Sequence, residues 1–127
     1  MTIEIKRESW RQFFDGLTKR RFDWQTRIEV LNDDIGHQIL DDGLPLGGIT
    51  CEESAKDMIV EIFVGTDDHH QTHSIKNPTK IAYLGEEDNP AGVVEIEEAD
   101  GTKTLIHIIG PMPIVTKYVG ASEATAA

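Results

Sequence analysis

The stretch from Asp67 to His73 carries the densest set of chemically versatile side chains in the sequence. It reads Asp67-Asp68-His69-His70-Gln71-Thr72-His73 and so holds three imidazoles and two carboxylates within seven residues. Imidazoles and carboxylates are common protein ligands of zinc, nickel and iron. Asp67, His69, His70 and His73 are therefore the candidate metal ligands of this chain.

The same residues also fit a solvated hairpin loop. A loop that runs into a strand need not bring His69 and His73 together as a helix would, and no second cluster in the sequence supplies a distant ligand. We therefore expect a polar loop with His73 paired in a strand, and we expect no metal and no other cofactor.

Two other reactive side chains, His107 and Cys51, lack the sequence neighbours that catalysis needs. His107 has aliphatic neighbours in the hairpin predicted below, which favours a half-buried structural imidazole over a general base. Cys51 precedes Glu52, and acidic neighbours raise rather than lower the pKa of a thiol. The sequence contains no nucleophile elbow, phosphate loop, dinucleotide fingerprint or paired-cysteine zinc motif. We expect no catalytic residues.

A basic and aromatic cluster lies near the N-terminus, where Lys19, Arg20 and Arg21 precede Phe22 and Trp24. Aromatic residues and arginines of this kind are enriched at protein interfaces. Lys19, Arg20, Arg21 and Trp24 are therefore the candidate residues for binding an acidic partner. The alternative is a helix end whose basic side chains complement the negative end of the helix dipole.

Charge is unevenly divided along the 127 residues. Residues 1–27 carry seven basic and four acidic side chains, a net charge of +3, whereas the remaining residues carry five basic and nineteen acidic ones, a net charge of −14. The total of −11 argues against a nucleic-acid partner, because phosphate binding needs clustered Lys and Arg. The single cysteine excludes an internal disulfide.

The sequence shows no signal for export or for a membrane span. Its N-terminus contains acidic residues, and no apolar stretch of the kind found in signal peptides follows them. The most apolar run, Leu105 to Val115, is interrupted by Gly110, Pro111 and Pro113 and falls well short of the roughly 20 residues of a membrane helix. We expect a cytoplasmic protein without a membrane span.

The basic segment has the apolar spacing of a helix. Trp10, Phe13, Phe14 and Leu17 recur at intervals of three and four residues, which predicts a helix from about Arg7 to Arg20. An isolated helix of this length is marginal in water, so its aromatic side must pack against other structure, which we expect to be a sheet.

From Trp24 onward the apolar period changes to two, which indicates strands. Predicted strands after Trp24 to Leu31 are Gly36 to Asp41, Asp57 to Val64, Thr72 to Lys76, Thr79 to Leu84, Gly92 to Glu98, Thr102 to Ile109 and Ile114 to Val119. The glycine-rich run Leu44 to Ile49 is interpreted as a tight connection. Turn residues recur at the spacing typical of antiparallel meanders. The predicted fold is α+β: an N-terminal helix on a curved antiparallel meander or partly closed barrel of about six to seven strands, in a single domain over residues 1–119 with a flexible tail at 120–127.

Asp100-Gly101 is the strongest turn signal, because both residues accept the positive φ angles of a two-residue hairpin turn. Such a turn predicts that Val94 pairs with His107, which would then point inward. The strand from Asp57 to Val64 is apolar on both sides, which favours burial of both faces. One face can take the helix, and we expect the other to be covered by a barrel wall or by the second subunit of a homodimer.

Several segments together resemble a family of small bacterial proteins known only as a domain of unknown function. They are Ile5-Lys6-Arg7-Glu8-Ser9-Trp10 with Phe13-Phe14, the run from Leu44 to Ile49, His73-Ser74-Ile75-Lys76-Asn77-Pro78-Thr79 and Glu97-Glu98-Ala99-Asp100-Gly101-Thr102. The resemblance extends from about Ile3 to Ile109 and implies one domain. It implies no activity and no site residues.

These observations favour a non-catalytic binding or accessory module that acts through a protein partner or through its own homodimer. The alternative is a small metal-dependent enzyme that uses Asp67, His69, His70 and His73. A third interpretation, acidic mimicry of nucleic acid, requires the nineteen acidic residues of the sheet region to lie on one surface at phosphate-like spacing.

Overall fold

The computed structural model describes residues 2–54, 56–66, 68–86 and 89–111 of the chain. The elements are, in chain order, β1 (Thr2–Glu4), a 3-10 helix (Arg7–Ser9), α1 (Trp10–Arg21), β2 (Trp24–Asn32), β3 (Gly36–Ser54), β4 (Asp57–Gly65), β5 (His70–Lys76), β6 (Pro78–Glu86), β7 (Asn89–Glu98) and β8 (Lys103–Pro111). The α+β class is confirmed. The predicted strand Ile114 to Val119 and the predicted tail 120–127 lie outside the described residues.

The helix α1 packs on the sheet through the predicted apolar side. Trp10, Phe14 and Leu17 are buried in the core, and Phe13 packs against it. The first turn is a 3-10 helix, so the α-helix itself begins at Trp10. The N–H of Ile49 in β3 donates to the hydroxyl of Thr18 over 2.9 Å, which fixes the helix against that strand. No helix among the described residues is long and apolar enough to cross a membrane.

All eight strands belong to one antiparallel sheet in the order β1-β6-β7-β8-β2-β3-β4-β5. This order forces the sheet to curve, because β5 lies at one edge and β6 beside the other edge, yet Asn77 alone connects them. Asn77 adopts φ +54, and its N–H donates to the carbonyl of Met58 over 2.6 Å. The ends of the sheet therefore approach each other around a single core.

The predicted strand number and the barrel alternative need correction. Within the described residues the sheet has eight strands instead of six or seven, and no pairing of β5 with β1 or β6 closes it into a barrel. β1 was missed because three residues are too few to show an alternating pattern. The curved antiparallel sheet with an N-terminal helix is confirmed.

The interpretation of Leu44 to Ile49 as a tight connection was wrong, because this run lies inside the long strand β3. Its glycines allow close packing on both sides of the strand. A Cβ at Gly47 would lie 3.1 Å from the carbonyl oxygen of Phe63 in β4, and a Cβ at Gly48 would lie 3.3 Å from Cγ2 of Thr18 in α1. The glycine residues therefore reflect crowding by neighbouring elements and not a chain reversal.

The hairpin between β7 and β8 has a three-residue turn, not the predicted two-residue turn. Glu98 donates its N–H to the carbonyl of Thr102 over 2.9 Å, and Gly101 donates to Glu98 over the same distance. The predicted positive φ is found at Gly101, where φ is +91, but not at Asp100. The extra residue shifts the register by one, and His107 therefore pairs with Val93 and points away from the core.

Only one face of β4 is fully buried. Met58, Val60, Ile62 and Val64 alternate into the core, whereas Phe63 on the opposite face is 37% exposed. The expected barrel wall does not cover this second face, and its burial by a second subunit remains a prediction.

Candidate functional site

The end of α1 presents the predicted basic cluster on the surface. Lys19 and Arg20 are exposed in the last turn of the helix. Phe22 then leaves the helical conformation, and Asp23 adopts φ +71 and donates its N–H to the carbonyl of Leu46 over 2.8 Å. This turn ties the end of the helix to β3, so the side chains beside it are held by rigid elements.

The phenyl ring of Phe22, which follows Lys19 and Arg20 in the chain, is exposed to solvent. It is 61% exposed, the highest exposure among the large apolar side chains described. The guanidinium of Arg21 lies 4.8 Å from the ring centroid of Trp24, at the start of β2, in cation–π geometry. We call the five residues Lys19, Arg20, Arg21, Phe22 and Trp24 the basic knuckle.

The basic knuckle combines an exposed apolar anchor with positive charge, so it can bind a carboxylate-bearing surface that also offers an apolar recess. It holds no acid, base or nucleophile arranged for catalysis. The sequence identified the cations and Trp24, but it did not single out Phe22. The available signal was position: Phe22 lies just past the helix end and off the buried face formed by Trp10, Phe14 and Leu17.

The candidate metal ligands are only partly brought together. His69 and His70 line a cleft of about 550 Å³ together with Asp68 and Gln71, and β3 supplies the opposite wall through Ile39, Leu40, Asp41, Asp42 and Leu44. His73 does not line this cleft: it pairs with Ile62 in β4, and its burial lowers the pKa of the imidazole. Asp67 lies outside the described residues.

The described part of the chain contains no group of three or more His, Cys, Asp or Glu side chains that could hold a metal ion. The loop that carries His69 is tight. Thr66 donates its N–H to the carbonyl of His69 over 2.8 Å, and a Cβ at Gly65 would fall 2.0 Å from that same oxygen. The loop therefore turns sharply between β4 and β5 and presents His69 and His70 at the mouth of the cleft.

A buried carboxyl group, Asp41, lies in the wall of the cleft. Leu44 donates its N–H to Oδ1 of Asp41 over 2.9 Å, and the hydroxyl of Thr26 hydrogen-bonds to Oδ2. Burial raises the pKa of Asp41 above its usual value, although these two hydrogen bonds oppose the shift and Asp42 adds to it. Asp41 therefore holds its proton more strongly than an exposed aspartate does.

An imidazole–carboxylate cluster on the other side of the sheet was not predicted. Glu29 in β2 accepts a hydrogen bond from Nε2 of His37 at one carboxylate oxygen and from Nε2 of His107 at the other. Burial alone would raise the pKa of Glu29, but the two histidines and the charge of Arg27 outweigh it and lower that pKa. The expectation that His107 points inward among aliphatic residues was wrong, because the one-residue register shift places it opposite Arg27, on the same side of the sheet as Glu29.

Cys51 is buried in β3, and its sulfur lies 3.4 Å from the sulfur of Met58. Burial raises the pKa of its thiol, while Arg11 and Arg7 lower it and Glu53 raises it slightly further. The direction agrees with the expectation from the sequence, although burial and not neighbouring acid is the main cause. A thiol in this state is a poor nucleophile.

Comparison with known proteins places the chain among proteins without an assigned role. A family model described as "Family of unknown function (DUF5335)" matches residues 1–116. An "Uncharacterized protein" of Aquifex aeolicus (strain VF5) is 32% identical over 114 residues, which cover 89% of this chain and 96% of that protein. No solved structure matches the chain.

Proposed function

The chain belongs to the DUF5335 family of unknown function, and we propose that it is a non-catalytic binding module that docks on an acidic protein surface through the basic knuckle. The observation that carries the proposal is the 61% exposure of Phe22 beside Lys19 and Arg20. The chain as a whole has a net charge of −11, so this basic surface stands out from an acidic background.

The energetics of such a contact favour Phe22 as the anchor. Transfer of a phenylalanine side chain from water into an apolar pocket is worth about 1.5–3 kcal/mol. Lysine and arginine at the rim of an interface contribute less to affinity, but they accelerate encounter with an acidic surface and make it sensitive to salt. The acidic remainder of the chain repels the same partner and thereby orients the knuckle toward it.

The alternative of a metal-dependent enzyme loses support from the geometry of its proposed ligands. Among the described candidates, His69 and His70 share the cleft, but His73 does not line it. Metal analysis of protein purified without chelator tests this alternative: stoichiometric zinc, nickel or iron that disappears in a His69→Ala/His70→Ala variant would favour the enzyme.

The docking proposal is tested with matched surface variants. Phe22→Ser and Lys19→Glu/Arg20→Glu alter the knuckle, whereas Ile35→Ser and Lys56→Glu/Lys80→Glu make the same kinds of change at other exposed positions. Each variant is used for affinity capture from the native cell, and every captured protein is then purified and its Kd for the wild type and the variants is measured at several salt concentrations.

We expect Phe22→Ser to weaken direct binding about tenfold or more, which is the equivalent of 1.4 kcal/mol or more. The double charge reversal should weaken binding and reduce its salt dependence, and the control variants should bind as the wild type does. A purified partner that binds the wild type and the knuckle variants equally well would refute the proposal.

A further inference from the structure

A second concave site lies between the start of α1 and the last residues of β3. It is a pocket of about 410 Å³, which is within the size range of small-molecule sites. Its floor is apolar and consists of Trp10 from the helix, Cys51 from β3 and Met58 from β4, all of which are buried. The sulfur atoms of Cys51 and Met58 lie 3.4 Å apart. We call the pocket formed by these three residues with Arg7, Glu8, Arg11 and Glu53 the end pocket.

Two arginines of the helical segment supply the positive charge of the end pocket. The guanidinium carbon of Arg7 lies 5.0 Å from the ring centroid of Trp10, and Nε of Arg11 donates to the carbonyl of Cys51 over 3.2 Å. Burial raises the pKa of the Cys51 thiol, and the charges of both arginines oppose that shift, so both act at the floor of the pocket. Among the described residues neither arginine forms an ion pair. Both guanidinium groups are therefore held in place and can bind a carboxylate.

Two glutamates supply the negative charge of the end pocket. Glu53 lies two residues after Cys51, on the same side of β3, and pairs with Met58 in β4. Glu8 comes from the 3-10 helix that precedes α1. Both glutamates are exposed, and neither forms an ion pair within the part of the chain that the structure describes. The end pocket therefore combines unpaired charges of both signs with an apolar floor.

We propose that the end pocket binds a free α-amino acid with an apolar side chain. The two arginines bind its carboxylate, the two glutamates bind its ammonium group, and its side chain covers the apolar floor. A simple anion would leave the glutamates without a partner, a simple amine would leave the arginines without one, and the end of a peptide carries only one of the two charges. The end pocket shares no residue with the basic knuckle, so this inference does not rest on the proposed function.

Isothermal titration calorimetry of the full chain with L-leucine and L-phenylalanine tests the chemical class of the ligand. We expect saturable binding of one molecule per chain. Analogues that lack the carboxylate, isopentylamine and phenethylamine, should bind about tenfold or more weakly than the parent amino acid. The same loss is expected for isocaproate and hydrocinnamate, which lack the ammonium group, and for glycine, which lacks the apolar side chain.

The variants Arg7→Gln and Glu53→Gln test whether binding uses the end pocket. Arg20→Gln and Glu4→Gln are the matched controls, because they make the same changes at exposed positions outside it. Each pocket variant should weaken binding about fivefold or more, whereas the controls should bind as the wild type does. The unfolding midpoint confirms that each variant is folded, and the analogue series decides the matter if Arg7→Gln is not. Absence of saturable binding, a singly charged analogue that binds as tightly as its parent, or a folded pocket variant that binds as the wild type does would each overturn the proposal.

Discussion

The protonation state of the buried carboxyl group of Asp41 can be tested through the pH dependence of the stability of the fold. The hydroxyl of Thr26 lies 2.8 Å from the carbonyl oxygen of Leu44 and also hydrogen-bonds to Oδ2 of Asp41. A hydroxyl has one hydrogen, so it cannot donate to both oxygens at once. If Asp41 is protonated, it donates to Thr26, Thr26 donates to the carbonyl of Leu44, and the N–H of Leu44 closes the ring at Oδ1 of Asp41.

The change Asp41→Asn should preserve this ring without a titrating group. The amide nitrogen of asparagine donates to Thr26 as the protonated acid does, and its oxygen accepts from Leu44. A carboxyl group whose pKa is raised in the folded state stabilises the fold fully below its unfolded pKa, and this contribution disappears as pH rises through the folded pKa. Asp41→Asn should therefore be as stable as the wild type in acid and more stable than the wild type at higher pH. We expect a difference of about 1–3 kcal/mol, because ionisation of Asp41 leaves one of the two acceptors of the Thr26 hydroxyl without a hydrogen.

Removal of the whole group should have the opposite result. Asp41→Ala leaves the N–H of Leu44 without its acceptor and deprives Thr26 of a partner, so it should cost about 2–3 kcal/mol in acid. The cost should be smaller at higher pH, where the wild type has lost the contribution of the protonated acid. Urea unfolding of wild type, Asp41→Asn and Asp41→Ala from about pH 3 to about pH 9, at one fixed protein concentration, measures these differences. Asp42→Asn is the control, since it makes the same charge change on the exposed neighbour.

An Asp41→Asn variant that is less stable than the wild type across the whole pH range would refute the protonated ring. It would mean that the ionised carboxylate is the form that the fold prefers, with the Thr26 hydroxyl donating to it and not to Leu44.

Two further predictions concern the hairpin and the histidine pair. Glu29→Gln should destabilise the fold by about 1–3 kcal/mol near neutral pH, because both histidines lose a charged acceptor, whereas Glu95→Gln on the same side of the sheet should change stability little. The pKa of Glu29 is lowered in the folded state, so its contribution is present above its ordinary pKa and disappears as pH falls through the lowered value; a deficit that persists unchanged in strong acid would contradict this assignment. Gly101→Val should cost about 1 kcal/mol or more, because a β-branched residue tolerates the observed φ of +91 poorly, and an unfolding midpoint equal to that of the wild type would show that the turn relaxes without strain.

The helix and those strands whose apolar residues follow a regular spacing could be predicted from the sequence. The spacing of Trp10, Phe14 and Leu17 located the helix and its buried side, and alternation located β2 and β4 within one or two residues. These patterns arise from neighbours a few residues apart, so a single sequence contains them. The glycines of β3 were misread because the crowding that requires them comes from α1 and β4, which are distant in sequence.

The sequence identified residues of the candidate site only where their charge and their place in the chain were enough to single them out. Lys19, Arg20, Arg21 and Trp24 were identified from composition, but the exposure of Phe22 depends on how the turn after α1 is tied to Leu46. Glu29 and His107 are 78 residues apart, and their contact depends on the register of β2 with β8. Register is a property of pairs of strands, and a shift of one residue moves every side chain to the other face.

The length of the turn between β7 and β8 determines on which side of the sheet His107 lies. A two-residue turn at Asp100-Gly101 would pair Val94 with His107 and direct the imidazole into the core beside Val94, where it would lack a polar partner. Ile106 and Ile108 would then face away from the core. The three-residue turn instead pairs Val94 with Ile106, so the core receives an aliphatic side chain. The imidazole of His107 then reaches Glu29, which β2 presents on the same side of the sheet. The apolar alternation of β8 and the cluster of Glu29, His37 and His107 therefore depend on the same register, which the hydrogen bond from Gly101 to Glu98 helps to hold in place.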